Sequence, residues 1–428
     1  SGYGQEGYFN GLLKDEAGNP IRMIREGSEM VDGNDQMSSL SGLPDFLTEK
    51  DEVRELLVEW QSNWISKYDI DYYRVDTVKH VDDTTWSAFK NALTKIDPDF
   101  KMIGEWAGAG YGTNNGMLRG GRMDSLLDFD YNGRALDFAT GKISDTEKFL
   151  NARNAAIDNT ATLGAFIGSH DEDGYIYTLV NERKVSKEKA TELARVAASL
   201  QITSKGQVVI YYGEELGMTG ANNYPYQENR YDFDWSQANE SNATFAHYKK
   251  MLAIGNKYSE VLAKGSRKTI EASDEKGLDV FQRSWGDTTL TVGLNITDKE
   301  TEYTIAGLKA GAMYTDCYSG TRYVSDENGN VTVLIPAAAQ GGTVVLAEGE
   351  FEERFIINQI PDQTYTGKNI TFTPAQLKVY YGLTELKPGT DYTVKYKNNK
   401  TVGTATVTVT GKGNYTGQLK LPFNITTK

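Results

Sequence analysis

A single cysteine, Cys317, stands in the whole chain, which excludes an intrachain disulfide framework and any cysteine-based zinc site. Histidine is almost as scarce. Only three occur, none at the H-x-x-x-H spacing of a zinc hydrolase, so metal-dependent hydrolysis of that kind is disfavoured. No apolar stretch reaches the ~18 to 20 residues of a membrane span, so membrane insertion is not expected. Excess positive charge is missing too: there is no basic stripe, the net charge is −14 and the pI is near 4.9. Such a surface repels nucleic acid and anionic lipid, and neither is expected as a partner. The N-terminal Ser1-Gly2-Tyr3-Gly4 has no apolar signal-peptide core. Either a signal was removed or this is not the native N-terminus, and the strand count below favours the second.

What the chain does have is length and tyrosine. Its 428 residues exceed one ordinary core and accommodate two or three domains. The 26 tyrosines and 6 tryptophans suit flat, stackable ligands such as sugars, but they suit β-sandwich cores equally well and decide nothing alone.

Residues 1–48 are loop-rich, with one hairpin expected around Asp15 to Pro20. Residues 49–68 then carry Val53, Leu56, Leu57, Trp60, Trp64 and Ile65 near a 3.6-residue period, a helix whose tryptophans are expected in the core. Short β-branched runs alternate with helical patterns from there. Strands are expected at 70–76, 101–106, 125–130, 161–168 and 207–212, and helices at 84–96, 143–157, 186–204 and 243–257. This alternation predicts an α/β fold with a parallel sheet. Acidic and histidine groups follow successive strands, which fits a (β/α)8 barrel with one active face better than an open doubly wound sheet. Only five strands are present. From residue 265 the pattern turns all-β to 348, an acidic linker follows at 349–354, and residues 355–428 form a Thr-, Tyr-, Lys- and Gly-rich β module.

The chemistry gathers where the expected strands end. Tyr72-Tyr73-Arg74-Val75-Asp76-Thr77-Val78-Lys79-His80 leaves an arginine, an aspartate and a Lys-His pair at one junction. An aspartate there serves more often as a helix cap or a surface charge. Further strand ends change that reading: Ile103-Gly104-Glu105-Trp106, then Phe166-Ile167-Gly168-Ser169-His170-Asp171, then Tyr211-Tyr212-Gly213-Glu214-Glu215. Each run is weak alone, and their order is specific.

Together these segments resemble the α-amylase family of retaining glycoside hydrolases over roughly residues 40–348. The resemblance implies Asp76 as nucleophile, Glu105 as general acid and base, and Asp171 as the carboxylate that stabilises the transition state. Arg74, Lys79, His80, Trp106, His170 and, in the loop before Tyr231, Arg230 become sugar contacts. Glu214 and Glu215 are expected to be structural. Ser169 departs from the family's usual asparagine, which bears on local positioning. Leu43-Pro44-Asp45-Phe46 resembles the end of the family's inserted second domain, so residues 1–48 would be its remainder and residues 49–264 the C-terminal part of the barrel. Calcium, as a structural ion, is then implied at Asp45 and the His80 carbonyl, with further ligands outside this chain. The family's first signature segment has no counterpart, so a second polypeptide or N-terminal fragment is expected to complete the barrel.

Residues 265–348 match the family's C-terminal sandwich in position, and residues 355–428 resemble small immunoglobulin-like repeats of bacterial surface proteins, a spacer or a polysaccharide binder. The expected activity is cleavage of internal α-1,4 bonds in starch-like glucans or maltooligosaccharides. The alternatives are pullulan or α-1,6 cleavage, transglycosylation, and a non-catalytic starch-binding surface protein. Because a glucose polymer does not enter cells intact, an extracellular or cell-surface location is expected.

Overall fold

Five short strands lie side by side in sequence order, all parallel. The computed structural model describes residues 9, 11–26, 36, 42–113, 122–158, 162–349, 355–357, 360–381, 384–415 and 417–427. Much of 1–48 and nearly all of the 349–354 linker therefore lie outside the described residues. The chain divides into two units, Ser1–Asp279 and Val280–Lys428.

In the first unit β1 (Ile24–Arg25) pairs antiparallel with β2 (Asp45–Phe46), and the expected hairpin before them closes through Asp15 N–H to the Asn19 carbonyl at 2.9 Å. Helix α1 (Asp51–Tyr68) follows. It buries Val53 against Met23 and Ile24, with Leu56, Leu57 and Trp60 half-buried beside them. Trp64 is a correction: it lies at the surface, stacked on Tyr68 with ring centres 5.0 Å apart. Residues four apart share a helical face, and this pair sits beside the buried stripe instead of in it.

The sheet runs β3 (Tyr72–Val75), β4 (Lys101–Gly104), β5 (Ser125–Asp128), β6 (Thr162–Ala165) and β7 (Gln207–Val208), in that spatial order. The register sets Val75 beside Gly104 and Asp128 beside Ala165, so the C-terminal ends share one edge. Helix α2 (Asp83–Ile96) joins β3 to β4. Its N-terminus is capped by Asp82, which accepts from Thr85 N–H at 3.0 Å and from the Thr85 hydroxyl at 2.7 Å. Trp86, Leu93, Phe100, Met102, Leu126 and Leu163 form the core between this helix and the sheet.

Between β5 and β6 come two helices, α3 (Phe129–Ala139) and α4 (Ile143–Ala156), where the sequence predicts one. Asn132-Gly133 reads as a turn signal, yet it lies within α3. Burial of Tyr131, Ala135, Leu136, Phe138 and Ala139 on one face overrides it. Helix α5 (Tyr175–Asn181) is also unanticipated and precedes the expected α6 (Lys187–Ile202). The last strand is shorter than its pattern: after Val208 one ladder bond continues, Val209 N–H to the Ala165 carbonyl at 2.9 Å, before Tyr211 and Tyr212 turn outward. Helices α7 (Ala243–Lys257) and α8 (Ser259–Lys264) and strand β8 (Ser266–Ser273) complete this unit.

Buried charge stitches its helices together. Arg153 of α4, 1% exposed, donates from Nε to Asp128 Oδ2 at 2.5 Å. Arg267 of β8 pairs with Glu147 of α4 at 2.5 Å and with Asp279 at 3.3 Å.

The second unit is all-β. Strands β9 (Leu278–Trp285), β10 (Thr288–Asn295), β12 (Met313–Asp316), β13 (Arg322–Val324) and β15 (Thr343–Glu348) lie in the order β13-β12-β15-β10-β9, while β11 (Thr301–Ile305) pairs with β14 (Val331–Ile335). In β14 Val331, Val333 and Ile335 are buried while Thr332 and Leu334 are exposed, the period-2 pattern of a half-buried strand. Residues 363–426 add a four-stranded sheet whose core holds Ala405, Val407, Val409, Phe423 and Ile425.

Candidate active site

Asp76 leaves the end of β3 and Glu105 the end of β4, so the parallel register makes them neighbours. The approach is tight. Gly104 precedes Glu105, and a Cβ there would stand 2.9 Å from both Leu126 Cδ2 and Val78 Cγ2. Any larger residue there would have to push both side chains aside. Beyond Asp76 the chain turns through Thr77 at φ +48°, left-handed backbone that a β-branched residue rarely adopts. The turn aims the Thr77 N–H at Glu105 Oε2, 3.2 Å away, while Val78 N–H reaches the Glu105 carbonyl at 2.9 Å. This strain sits at the proposed chemistry, where such outliers cluster. No feature of the sequence signalled it.

Arg74 ties the two carboxyls together. It contacts Asp76 Oδ1 through Nη1 and Glu105 Oε2 through Nη2 at 3.2 Å. Asp76 is 67% exposed and Glu105 only 17%. Burial raises Glu105, and its hydrogen bond to Asp76 raises it further, outweighing the Thr77 amide and Arg74. On Asp76 burial acts upward as well, but the same hydrogen bond, Arg74 and His170 overcome it and hold this carboxyl below the ordinary range. Two adjacent carboxyls are thus driven apart, one toward the acid and one toward the carboxylate. They titrate as a pair.

The loop after β6 brings the third carboxylate. His170 Nε2 lies 2.9 Å from Asp171 Oδ2, and Arg230 Nη2 lies 2.8 Å from Asp171 Oδ1. Arg230 also donates from Nε to the His170 carbonyl at 3.0 Å. Ser169, the departure from the family pattern, accepts from Asp171 N–H at 3.2 Å and so supports the loop. His170 acts on Asp76, which links this loop to the first pair. Arg74, Asp76 and Glu105 therefore stand together at the ends of β3 and β4, and Arg230 meets His170 and Asp171 at the loop after β6.

The remaining expected contacts lie nearby in the chain. Trp106 packs half-buried on the core formed by α2 and the sheet. Lys79 is exposed and His80 half-buried in a single turn, Val78–His80. Trp86 Nε1 donates to the Val78 carbonyl at 3.0 Å and pins that turn.

The donor set does not fit the calcium site that the resemblance implies. Asp45 is held 3.1 Å from Nη1 of Arg25, a guanidinium 2% exposed that also pairs with Glu49. That carboxylate already has a buried cation as partner. Among the described residues no three acidic, histidine or cysteine groups converge. No step below uses calcium.

Sequence reasoning missed Asn229, which is fully buried and donates to the carbonyls of His170 and Glu172, both at 2.8 Å. The adjacent Arg230 was the one signal that could have found it.

Residues 34–276, more than half of the chain, match the alpha-amylase catalytic domain. Three relatives illustrate the range of similar proteins. A cyclomaltodextrinase of Geobacillus thermopakistaniensis is 25% identical over 68% of this chain and 48% of its own length. Neopullulanase 2 of Thermoactinomyces vulgaris is 27% identical over 65% of this chain and 46% of its own. An alpha-amylase of Streptomyces lividans is 29% identical over 76% and 39% respectively. The chain thus spans about half the length, or less, of the curated relatives it matches. Among solved structures, the alpha-amylase of Geobacillus thermoleovorans complexed with acarbose superposes with a TM-score of 0.63 over 76% of this chain and 71% of that one, at 22% identity. That likeness speaks for the fold: the five parallel strands and their helices are consecutive β/α units of a (β/α)8 barrel. None of these matches supports the expected second polypeptide. By the match across residues 34–276, the chain belongs to the alpha-amylase family.

Proposed function

We propose that the protein is a retaining glycoside hydrolase that cleaves internal α-1,4-glucosidic bonds of starch-like glucans. The observation that carries this reading is the Asp76–Glu105 pair, bridged by the one guanidinium of Arg74 and with acidities driven in opposite directions. Retention needs the two carboxyls about 5 Å apart, whereas inversion needs roughly 6.5 to 9.5 Å for an intervening water. Two carboxyls that share one guanidinium favour retention.

Asp76, already ionised, attacks the anomeric carbon as Glu105 gives its proton to the departing glycosidic oxygen. The C–O bond to the leaving sugar breaks and a glycosyl ester of Asp76 forms. Glu105, now a carboxylate, then takes a proton from water. That water attacks the same carbon and releases Asp76. Asp171, oriented by Arg230 and His170, accepts hydrogen bonds from sugar hydroxyls, and these strengthen as the ring flattens.

A second reading rests on the relatives' names, cyclomaltodextrinase and neopullulanase. It assigns cyclic dextrins or pullulan as substrate, including α-1,6 bonds, with the same residues in the same roles. Transglycosylation is the variant in which a sugar hydroxyl takes the place of water. Parallel digests of soluble starch, pullulan and a cyclodextrin separate these readings. Starch shortened fastest into mixed maltooligosaccharides supports the first, and faster cleavage of pullulan or cyclodextrin supports the second. If none is cut while amylose still retards the protein in a gel, a non-catalytic glucan-binding role replaces both. An extracellular or cell-surface location, with residues 355–428 as a spacer, accords with a polymeric substrate.

A further inference from the structure

The loop that carries His170 and Asp171 is gripped from two sides by polar side chains that do not reach the substrate. On one side stands Asn229. Its amide nitrogen lies 2.8 Å from the carbonyls of His170 and Glu172 and 3.4 Å from that of Ser169. Three converging carbonyls accept only a donor, which fixes the amide's orientation, and Asn229 Oδ1 is left buried without a partner among the described residues. Asn222 adds a further bond from the same segment, to the Asp171 carbonyl at 2.6 Å.

On the other side stands Glu214. Its carboxyl accepts from Tyr211 N–H at 3.3 Å through Oε2, and Oε1 is sealed without a partner among the described residues. A Cβ on Gly168 would lie 2.4 Å from that Oε1, so the loop backbone rests directly on it. The cavity beside Glu214 measures about 20 Å³, room for one water and none for a sugar. Glu214 therefore acts through the loop.

We propose that Asn229 and Glu214 are positioning residues for the glycosidase reaction: together they set the Gly168–Glu172 loop, and a negative charge on either one displaces Asp171 from the sugar. This inference rests on the glycosidase reading above. The chemistry of the two grips is complementary, since one must donate and the other must stay neutral. The groups facing Glu214 are Glu215, of like sign, and the hydroxyl-bearing Tyr175, Tyr211, Tyr231 and Tyr248. Those facing Asn229 are His170, Glu172 and Arg230, with Asp171 beside them. Burial pushes Glu214 up to about 8, with Glu215 adding to the rise and the Tyr211 amide opposing it. A carboxyl raised above its ordinary 4.5 favours the folded form most at low pH. That contribution fades as pH climbs to about 8, beyond which an unpaired carboxylate presses on Gly168.

Two mirror-image variants test the idea, read as pH profiles of kcat and KM on soluble starch with thermal melts alongside. Asn229→Asp keeps the shape but replaces the donor, so kcat should fall about 100-fold near neutral pH and recover at least about tenfold on acidification, when the carboxyl can donate again. Glu214→Gln keeps an acceptor for Tyr211 N–H and cannot ionise. It should hold kcat near the parent value at about pH 6 and make the alkaline fall shallower, leaving only the limb that Glu105 sets. A kcat for Asn229→Asp within about threefold of the parent, or an alkaline fall unchanged by Glu214→Gln, overturns the inference. Parent protein inert on every glucan would sink the glycosidase reading instead. The melts then still decide for Glu214: the parent's Tm should drop between about pH 5 and 8 more steeply than that of the glutamine variant, and equal slopes there refute its role.

Discussion

Two parallel strands of this sheet end in an aspartate, Asp76 after β3 and Asp128 on β5, and the two meet opposite fates. Asp76 stands 67% exposed beside Arg74, next to a second carboxyl of opposite tendency. Asp128 is fully buried and closed by Arg153, with α3 starting at the next residue. Both are aspartate–arginine pairs. Only the first leaves a charged oxygen where a substrate can reach it, so what distinguishes chemistry from architecture is access and a partner carboxyl, not the pairing itself. The lesson extends along the chain: Glu147 and Asp279 also flank one arginine, Arg267, but all three side chains are buried.

The comparison breaks most sharply by removing its chemical half. Asp76→Ala and Glu105→Gln should each lower kcat on soluble glucan by about 1,000-fold or more with an unchanged circular dichroism spectrum, because they remove reacting groups and no core contact. Near-parent turnover in either variant would void the site assignment. The architectural half should respond in the other currency. Arg153→Met strands the buried Asp128, and urea unfolding should report a loss of about 3 to 5 kcal/mol while turnover per folded molecule is nearly kept. A matching loss of turnover would mean that the two clusters are coupled.

Smaller effects sharpen the contrast. The kcat/KM profile should be bell-shaped. Its acid limb lies below the ordinary aspartate range, because Asp76 is held down. Its basic limb lies above the ordinary glutamate value, because burial and Asp76 hold Glu105 up. Acid and basic limbs at ordinary carboxyl values would argue against the split. Asp82→Ala removes the cap of α2 and should cost about 1 kcal/mol in urea unfolding. Removing residues 355–428 should leave hydrolysis of soluble substrate almost unchanged, and a collapse would contradict the spacer role.

Much of this was legible in the sequence because it is local. The 3.6-residue stripe of residues 49–68 and the apolar runs before Asp76 and Glu105 fix elements by periodicity alone. The order of strand ends points to the carboxylates proposed for the site. What stayed hidden depends on partners distant in sequence. Arg25 takes Asp45 away from a calcium role across 20 residues, and Arg267 meets Glu147 across 120. Asn132-Gly133 signals a turn but is absorbed into α3, since burial of Tyr131, Leu136 and Phe138 outweighs a local preference. Trp64 follows the helical spacing and still lies at the surface, because periodicity gives a face and not what covers it. Thr77 and Asn229 matter through backbone strain and through three carbonyls brought together by folding, and neither leaves a mark in composition.

The central claim is that Asp76 attacks the sugar. Incubation with a 5-fluoro-α-glucosyl fluoride, which slows release of the covalent intermediate, followed by peptide mass mapping tests it most directly. The account predicts one glycosyl adduct, on the peptide bearing Asp76, absent in Asp76→Ala and discharged when excess maltooligosaccharide is added. An adduct on Asp171 or Glu105, or turnover that yields inverted product with no adduct, would contradict it.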